Sequence, residues 1–199
     1  MSDVAAGDVL RLPAIDPATG CLTPGRHPAT FAELRRAFVE AEEFAGSGTR
    51  AAKWEGFLAY VAAWEQVEAL LDDRLVLAWW IGGSFVTSAV EVGDIDVSPI
   101  LDRDVWKAKR GAEGMGTAKA LIRHRQKVVD AFGVESFVLL WSAVSCTLFP
   151  DNLSVPEQEM LRDRGGLDAW WQRRRPAGEK AAPGLPTAFA ERGYVEVLR

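Results

Sequence analysis

The 199-residue chain has only two cysteines and two histidines. Cys21 and Cys146 lie far apart and outside any Cys-x-x-Cys spacing, which excludes a disulfide scaffold and a zinc ribbon and leaves both as reduced packing residues. His27 sits in a Pro-Gly-Arg-His-Pro segment and His124 in a basic stretch. Neither has a partner at metal-ligand or triad spacing, so both read as structural or surface residues. No uncharged apolar run reaches the ~18 residues a membrane helix needs. Met1-Ser2-Asp3-Val4 lacks the basic-then-apolar order of a secretory leader, and the expected location is the cytoplasm. Internal repeats and long low-complexity tracts are missing too, which excludes solenoids and disordered scaffolds.

What remains is a globular composition: 48% hydrophobic residues, 26% charged residues and a net charge of −5. That is enough for one sizeable core and too little for two full domains. The expected organisation is a single domain over residues 1–199. Its catalytic core spans about 50–150, preceded by a helical extension and followed by a helix and a short strand.

The chain's most informative stretch is Trp79-Trp80-Ile81-Gly82-Gly83-Ser84, followed by Asp94-Ile95-Asp96-Val97. In extended backbone Asp94 and Asp96 project to one face while Ile95 and Val97 face the other. Two carboxylates about 5 Å apart repel by roughly 3 kcal/mol at an effective dielectric near 20, and a cation between them removes that cost. Mg²⁺, or Mn²⁺ in its place, suits a few carboxylates completed by water and phosphate oxygens. Gly82 and Gly83 allow close backbone approach, and the Ser84 hydroxyl and nearby amides can donate to phosphate. Taken singly, Gly-Gly-Ser is an ordinary turn and Asp-x-Asp an ordinary solvated strand end; their order, spacing and apolar flanks favour a metal-dependent phosphoryl-transfer site.

Gly-Ser, about ten residues, then Asp-x-Asp resembles the hallmark of the DNA polymerase β-like nucleotidyltransferases. Three further segments, Cys21 to Thr30, Gly83 to Thr87 and Gly93 to Val97, are similar to the small bacterial and phage proteins of the DUF6932 type. The resemblance implies an α+β (mixed α/β) fold with a polymerase β-like core, a small mixed sheet flanked by helices. It also implies transfer of a nucleoside monophosphate from a nucleoside triphosphate to an acceptor hydroxyl. Asp94 and Asp96 would be metal ligands, and Gly82, Gly83 and Ser84 would hold the triphosphate. A third carboxylate belongs on a neighbouring strand, expected at Val134 to Ser145, and there the chain offers Glu135 where relatives carry Asp. The extra methylene moves the carboxylate by more than about 1 Å. Glu135 could equally open a buried strand from the solvent side, with Asp130 the nearest other candidate. The acceptor is left open among RNA or tRNA, a small molecule and a protein. By resemblance an RNA-modifying toxin or phage-defence role is consistent, with a cognate partner protein, and a catalytically silent nucleotide- or partner-binding module is the alternative.

Charge is uneven. Between Arg103 and Lys127 there are eight Lys or Arg residues against Asp104 and Glu113, a local balance of +6. Lys107, Lys109 and Arg110, in a Gly-rich stretch, are candidates to hold triphosphate or RNA. A solvated helix face is the competing reading. Arg173-Arg174-Arg175 could touch phosphate, but cations also suit a helix C-terminus for the macrodipole alone.

Periodicity and caps predict the elements. Thr30 and Glu33 form a capping-box signature for a helix from Ala29 to Phe44. Trp54, Phe57, Leu58, Val61 and Trp64 define an amphipathic helix over Arg50 to Leu71. Strands are expected at Val76 to Ile81 and Ile95 to Leu101, a helix over Thr117 to Phe132, and an apolar strand over Phe137 to Val144. A helix over Pro156 to Arg174, a surface loop over Arg175 to Pro186 and a closing strand Tyr194 to Leu198 complete the chain. Trp79 and Trp80 must point to opposite faces of their strand, so at most one can face the site.

Overall fold

A computed structural model describes residues 12–144, 152–174 and 188–199. The fold is α+β: one small mixed sheet with helices on both faces. In chain order the elements are β1 (Gly25–Pro28), α1 (Phe31–Phe38), α2 (Arg50–Leu71), β2 (Val76–Gly82), β3 (Ile95–Asp102), α3 (Arg103–Ala108), α4 (Met115–Arg123), α5 (Arg125–Phe132), β4 (Val134–Ser136), β5 (Leu139–Trp141), α6 (Val155–Gln172) and β6 (Gly193–Leu198). The sheet runs β1-β6-β2-β3-β4, with β5 also paired to β3.

Alternation along β2 and β3 sorts the core into two layers. Ile95, Val97 and Leu101 face α2, whose Trp54, Phe57, Val61, Trp64 and Val67 bury the larger cluster. Ile100 faces α6 with Ala78, Trp80, Trp171 and Tyr194. The adjacent tryptophans divide as the strand period requires: Trp79 meets Phe57 and Tyr60 of α2, while Trp80 meets Tyr194. Because Asp96 is two residues from Ser98 and four from Ile100, the carboxylates belong to the thinner, α6-covered face.

Several elements differ from the sequence expectation, each for a local reason. The capping box forms, with Glu33 N donating to Thr30 Oγ1 at 3.1 Å and Thr30 N to Glu33 Oε2 at 2.7 Å. Yet α1 stops at Phe38, and a separate 3₁₀ turn, Glu42–Phe44, brings the Phe44 ring to 3.7 Å from the Arg50 guanidinium. A continuous helix would carry Phe44 away from that contact. The helix expected over Thr117 to Phe132 breaks at His124 (φ −99°, ψ 57°). No Gly or Pro marks the break. Of the strand expected over Phe137 to Val144 only Leu139–Trp141 forms, and β4, Val134–Ser136, precedes it in the same register along β3: Val97 pairs Ser136 and Ile100 pairs Leu139. The interruption falls where Pro99 of β3, lacking an N–H, sits opposite Val138.

β6 is the largest difference. It lies inside the sheet, parallel to β1 and antiparallel to β2, with Arg26 opposite Tyr194 and Trp80 opposite Glu196. β1 was not expected at all. The loop expected over Arg175 to Pro186, together with Cys146, lies outside the described residues.

Candidate active site

The carboxylates gather at the N-terminal end of β3. Asp94 immediately precedes the strand and Asp96 is its second residue, opposite Gly82 of β2 and, on the other side, in parallel register with Glu135 of β4. In-register neighbours on parallel strands stand about 4.8 Å apart and share a face. Glu135 is therefore seated beside Asp96, as a third carboxylate must be, whereas Asp130 lies on α5 and accepts from Gln126 at 2.9 Å.

The two glycines serve different needs. Gly83 has φ +68°, and a Cβ there would sit 1.7 Å from Asp96 Oδ2. The turn thus requires glycine both for its backbone and to admit the Asp96 carboxylate. A Cβ on Gly82 would meet the Trp171 ring at 2.6 Å, so Gly82 seats a wall of the site and does not itself line it. Ser84 lies on a 3₁₀ turn, Gly83–Val86, closed by Thr87, whose N–H and hydroxyl both donate to Ser84 O.

Arg50 organises the loop that joins turn to carboxylates. It is 1% exposed, and its guanidinium donates to the carbonyls of Phe38, Phe85, Thr87, Ala89 and Val90. Burial lowers its pKa to about 10, against the opposing pull of Glu43 and Glu91, so it stays cationic at neutral pH. Glu91 anchors the same loop from outside, accepting from Thr49 Oγ1 at 2.6 Å and Gly48 N at 2.8 Å. These bonds hold its carboxyl below the usual carboxylate range. A sequence of consecutive small and apolar residues, Thr87 to Val90, is in this way fixed by side chains remote from it.

Gly83, Ser84, Asp94, Asp96 and Glu135 share one cavity of about 710 Å³. Thr19 to Cys21, Trp170, Trp171, Arg174 and Arg192 also line it. Trp171 is pinned over the sheet by donating Nε1–H to Ser98 Oγ at 3.0 Å. Gln172 O accepts from Glu191 N (2.8 Å) and Arg192 N (3.1 Å), so the end of α6 and the start of β6 are tied together and both arginines reach the cavity. The sequence offers Arg174 as a phosphate contact or as a helix-terminal cation alone, whereas Arg192 has no motif; only the interior position of β6 brings them together.

Lys107, Lys109 and Arg110 do not line this cavity. They follow the far end of β3, about 20 Å along the strand from Asp96 at ~3.3 Å per residue. Lys109 Nζ donates to Leu71 O at 2.7 Å and pairs with Asp73 at 3.4 Å, which ties α3 to the end of α2. Arg110 faces a separate 290 Å³ cavity with Trp106 and Lys119. His27 contacts Thr23 O through Nε2 at 2.8 Å, a structural role.

Three carboxylates and the Ser84 turn form a hard-oxygen donor set suited to Mg²⁺ or Mn²⁺ with water and phosphate oxygens. Among the described residues no group of three His, Cys, Asp or Glu side chains is arranged to hold a metal ion by itself. Glu135 is drawn instead to Arg125, 2.6 Å away, whose guanidinium lies 4.4 Å from the Phe137 ring centroid.

Fold and site together define a mixed α+β protein with an acidic cleft on one sheet face, walled by arginine and tryptophan. The chain belongs to the family of unknown function DUF6932, whose model matches residues 13–198. No curated protein and no solved structure matches it. Among the described residues no helix is long and apolar enough to cross a membrane.

Proposed function

We propose that the protein is a metal-dependent nucleotidyltransferase with a polymerase β-like core. The observation that carries this reading is Gly83: its left-handed backbone and missing Cβ make room for the Asp96 carboxylate inside a cavity that also holds Ser84, Asp94 and Glu135. Asp94 and Asp96 would hold Mg²⁺ or Mn²⁺, with Glu135 joining them on release from Arg125. The bound metal supplies charge stabilisation at the phosphates and lowers the pKa of an acceptor hydroxyl.

The chain's own residues then position the reactants. Amides of the Gly83 turn and the Ser84 hydroxyl donate to phosphate oxygens, and Arg50 holds the loop behind them rigid. The acceptor oxygen bonds to the α-phosphorus, the bond to the β-phosphate bridging oxygen breaks, pyrophosphate leaves and the hydroxyl proton passes to water. The acceptor is a hydroxyl of RNA or tRNA, a small molecule or a protein.

A second reading, a silent nucleotide- or partner-binding module, is favoured by one feature, the Arg125–Glu135 pair at 2.6 Å. Incubation of the full chain and Mg²⁺ with each α-labelled nucleoside triphosphate and total RNA, tRNA, a panel of small-molecule alcohols, a protein extract or the protein alone separates the two. Transfer is expected in the parent and lost in Asp94→Asn with Asp96→Asn. No label on any acceptor would overturn transfer in favour of binding.

A further inference from the structure

The lining of the cavity carries both signs of charge: Asp94, Asp96 and Glu135 on the sheet, and Arg174 and Arg192 where α6 ends and β6 begins, with Trp170. A neutral or cationic ligand would gain nothing from the positive charge of the two guanidiniums. A bare anion would meet the carboxylates. A polyphosphate carrying Mg²⁺ satisfies both signs, with its metal-bound oxygens towards the acids and its remaining charge towards the arginines.

Arginine placement here is built from three directions. Trp171 is fixed by Ser98 and by the space above Gly82. Its carbonyl accepts from Arg192 Nε at 3.0 Å. Arg192 N donates to Gln172 O, two residues before Arg174. The C-terminal end of α6 carries negative helix-dipole charge, which by itself repels an anion, so the guanidiniums are what make this part of the lining attractive to phosphate.

We infer that Arg174 and Arg192 receive the phosphate chain of the substrate, and that the basic segment Lys107 to Arg110 does not. The inference rests on the nucleotide-site reading but not on transfer itself. It assigns the substrate's charged tail to the C-terminal part of the chain, which thereby completes the site.

Inorganic tripolyphosphate with Mg²⁺, titrated calorimetrically into the full chain, tests this without any transfer step. A charge-assisted contact to phosphate is worth about ten-fold or more in affinity. Arg174→Ala and Arg192→Gln should each weaken binding by at least that factor and flatten its salt dependence. Arg174→Lys should keep part of the affinity, because lysine supplies charge without the planar fork. Lys107→Ala with Arg110→Ala, which removes twice the charge of either single variant, should bind like the parent. Since Arg192 also supports Trp171, each variant is compared only after its melting temperature matches the parent's, and Arg174→Ala, exposed at the cavity edge, decides if Arg192→Gln does not fold. Failure of the parent to bind tripolyphosphate, or parent-like binding by the Arg174 variant, overturns the inference. Normal binding with no nucleotidyl transfer would refute the proposed activity alone.

Discussion

Gly83→Ala tests the central turn most sharply, because two independent costs meet at one atom. At φ +68° an alanine occupies left-handed backbone, costing roughly 1–2 kcal/mol. Its Cβ would also lie 1.7 Å from Asp96 Oδ2 and 2.6 Å from Asp96 Cγ, so the strand side chain or the turn must shift. Overpacking of this kind costs about 1–3 kcal/mol. Together they give about 2–5 kcal/mol, or a fall of about 4–20 °C in melting temperature for a chain of this size. The two parts largely separate in a double-mutant cycle, because Asp96→Ala removes the colliding carboxylate and leaves the backbone cost with a milder 2.9 Å approach to the Cβ at position 96. Calorimetric melting of the parent, both single variants and the double variant reads this directly. A coupling energy of about 1–3 kcal/mol is expected, with the double variant more stable than additivity predicts. Additive effects, or a Gly83→Ala protein melting with the parent, would refute the claim that the turn is built around Asp96.

Three further outcomes follow from the same geometry. Glu135→Gln should abolish transfer while retaining nucleotide binding and most stability, since the exposed Arg125 pair is worth only about 0–1 kcal/mol; transfer assays and melting together check this. Arg50→Ala should destabilise the fold by at least about 3 kcal/mol in urea unfolding, because several buried carbonyls lose their donor. Glu91 is a depressed carboxyl, so its contribution is fully present above its ordinary value of 4.5 and is lost as pH falls through the lower folded value. Glu91→Gln should therefore be less stable than the parent at pH 7, with the difference shrinking as pH drops below 4.5 in pH-dependent melting.

Local signals in the sequence located the carboxylates and most of the elements, and they did so where one interaction range sufficed. The period of Trp54, Phe57, Val61 and Trp64 placed α2 at Arg50–Leu71. Alternation put Trp79 and Trp80 on opposite faces and Asp96 opposite Ile95 and Val97. What stayed hidden depends on partners distant in the chain. β1 is four residues long and contains Gly25 and Pro28, a weak strand signal that only pairing with β6 makes regular. The interior position of β6 cannot be read from Tyr194 to Leu198 by themselves, and with it went Arg192. Proximity in sequence misled in the other direction. Lys107 to Arg110 follow the carboxylate strand closely in the chain, but an extended strand carries them to the opposite end of the sheet. Arg50 was legible only as a helix start, because four of its five carbonyl acceptors belong to a segment 35–40 residues away.

The most direct measurement is Mn²⁺ binding followed by loss of the free-ion electron paramagnetic resonance signal, with a nucleoside triphosphate present, in the parent and in Asp94→Asn with Asp96→Asn. Free nucleotide binds Mn²⁺ too, so the protein-dependent part is taken against nucleotide alone and against the denatured chain. The account predicts a protein-bound Mn²⁺–nucleotide complex in the parent that is absent in the doubly substituted but still folded protein. Equal binding by both proteins would contradict the assignment of Asp94 and Asp96 as the metal-holding pair.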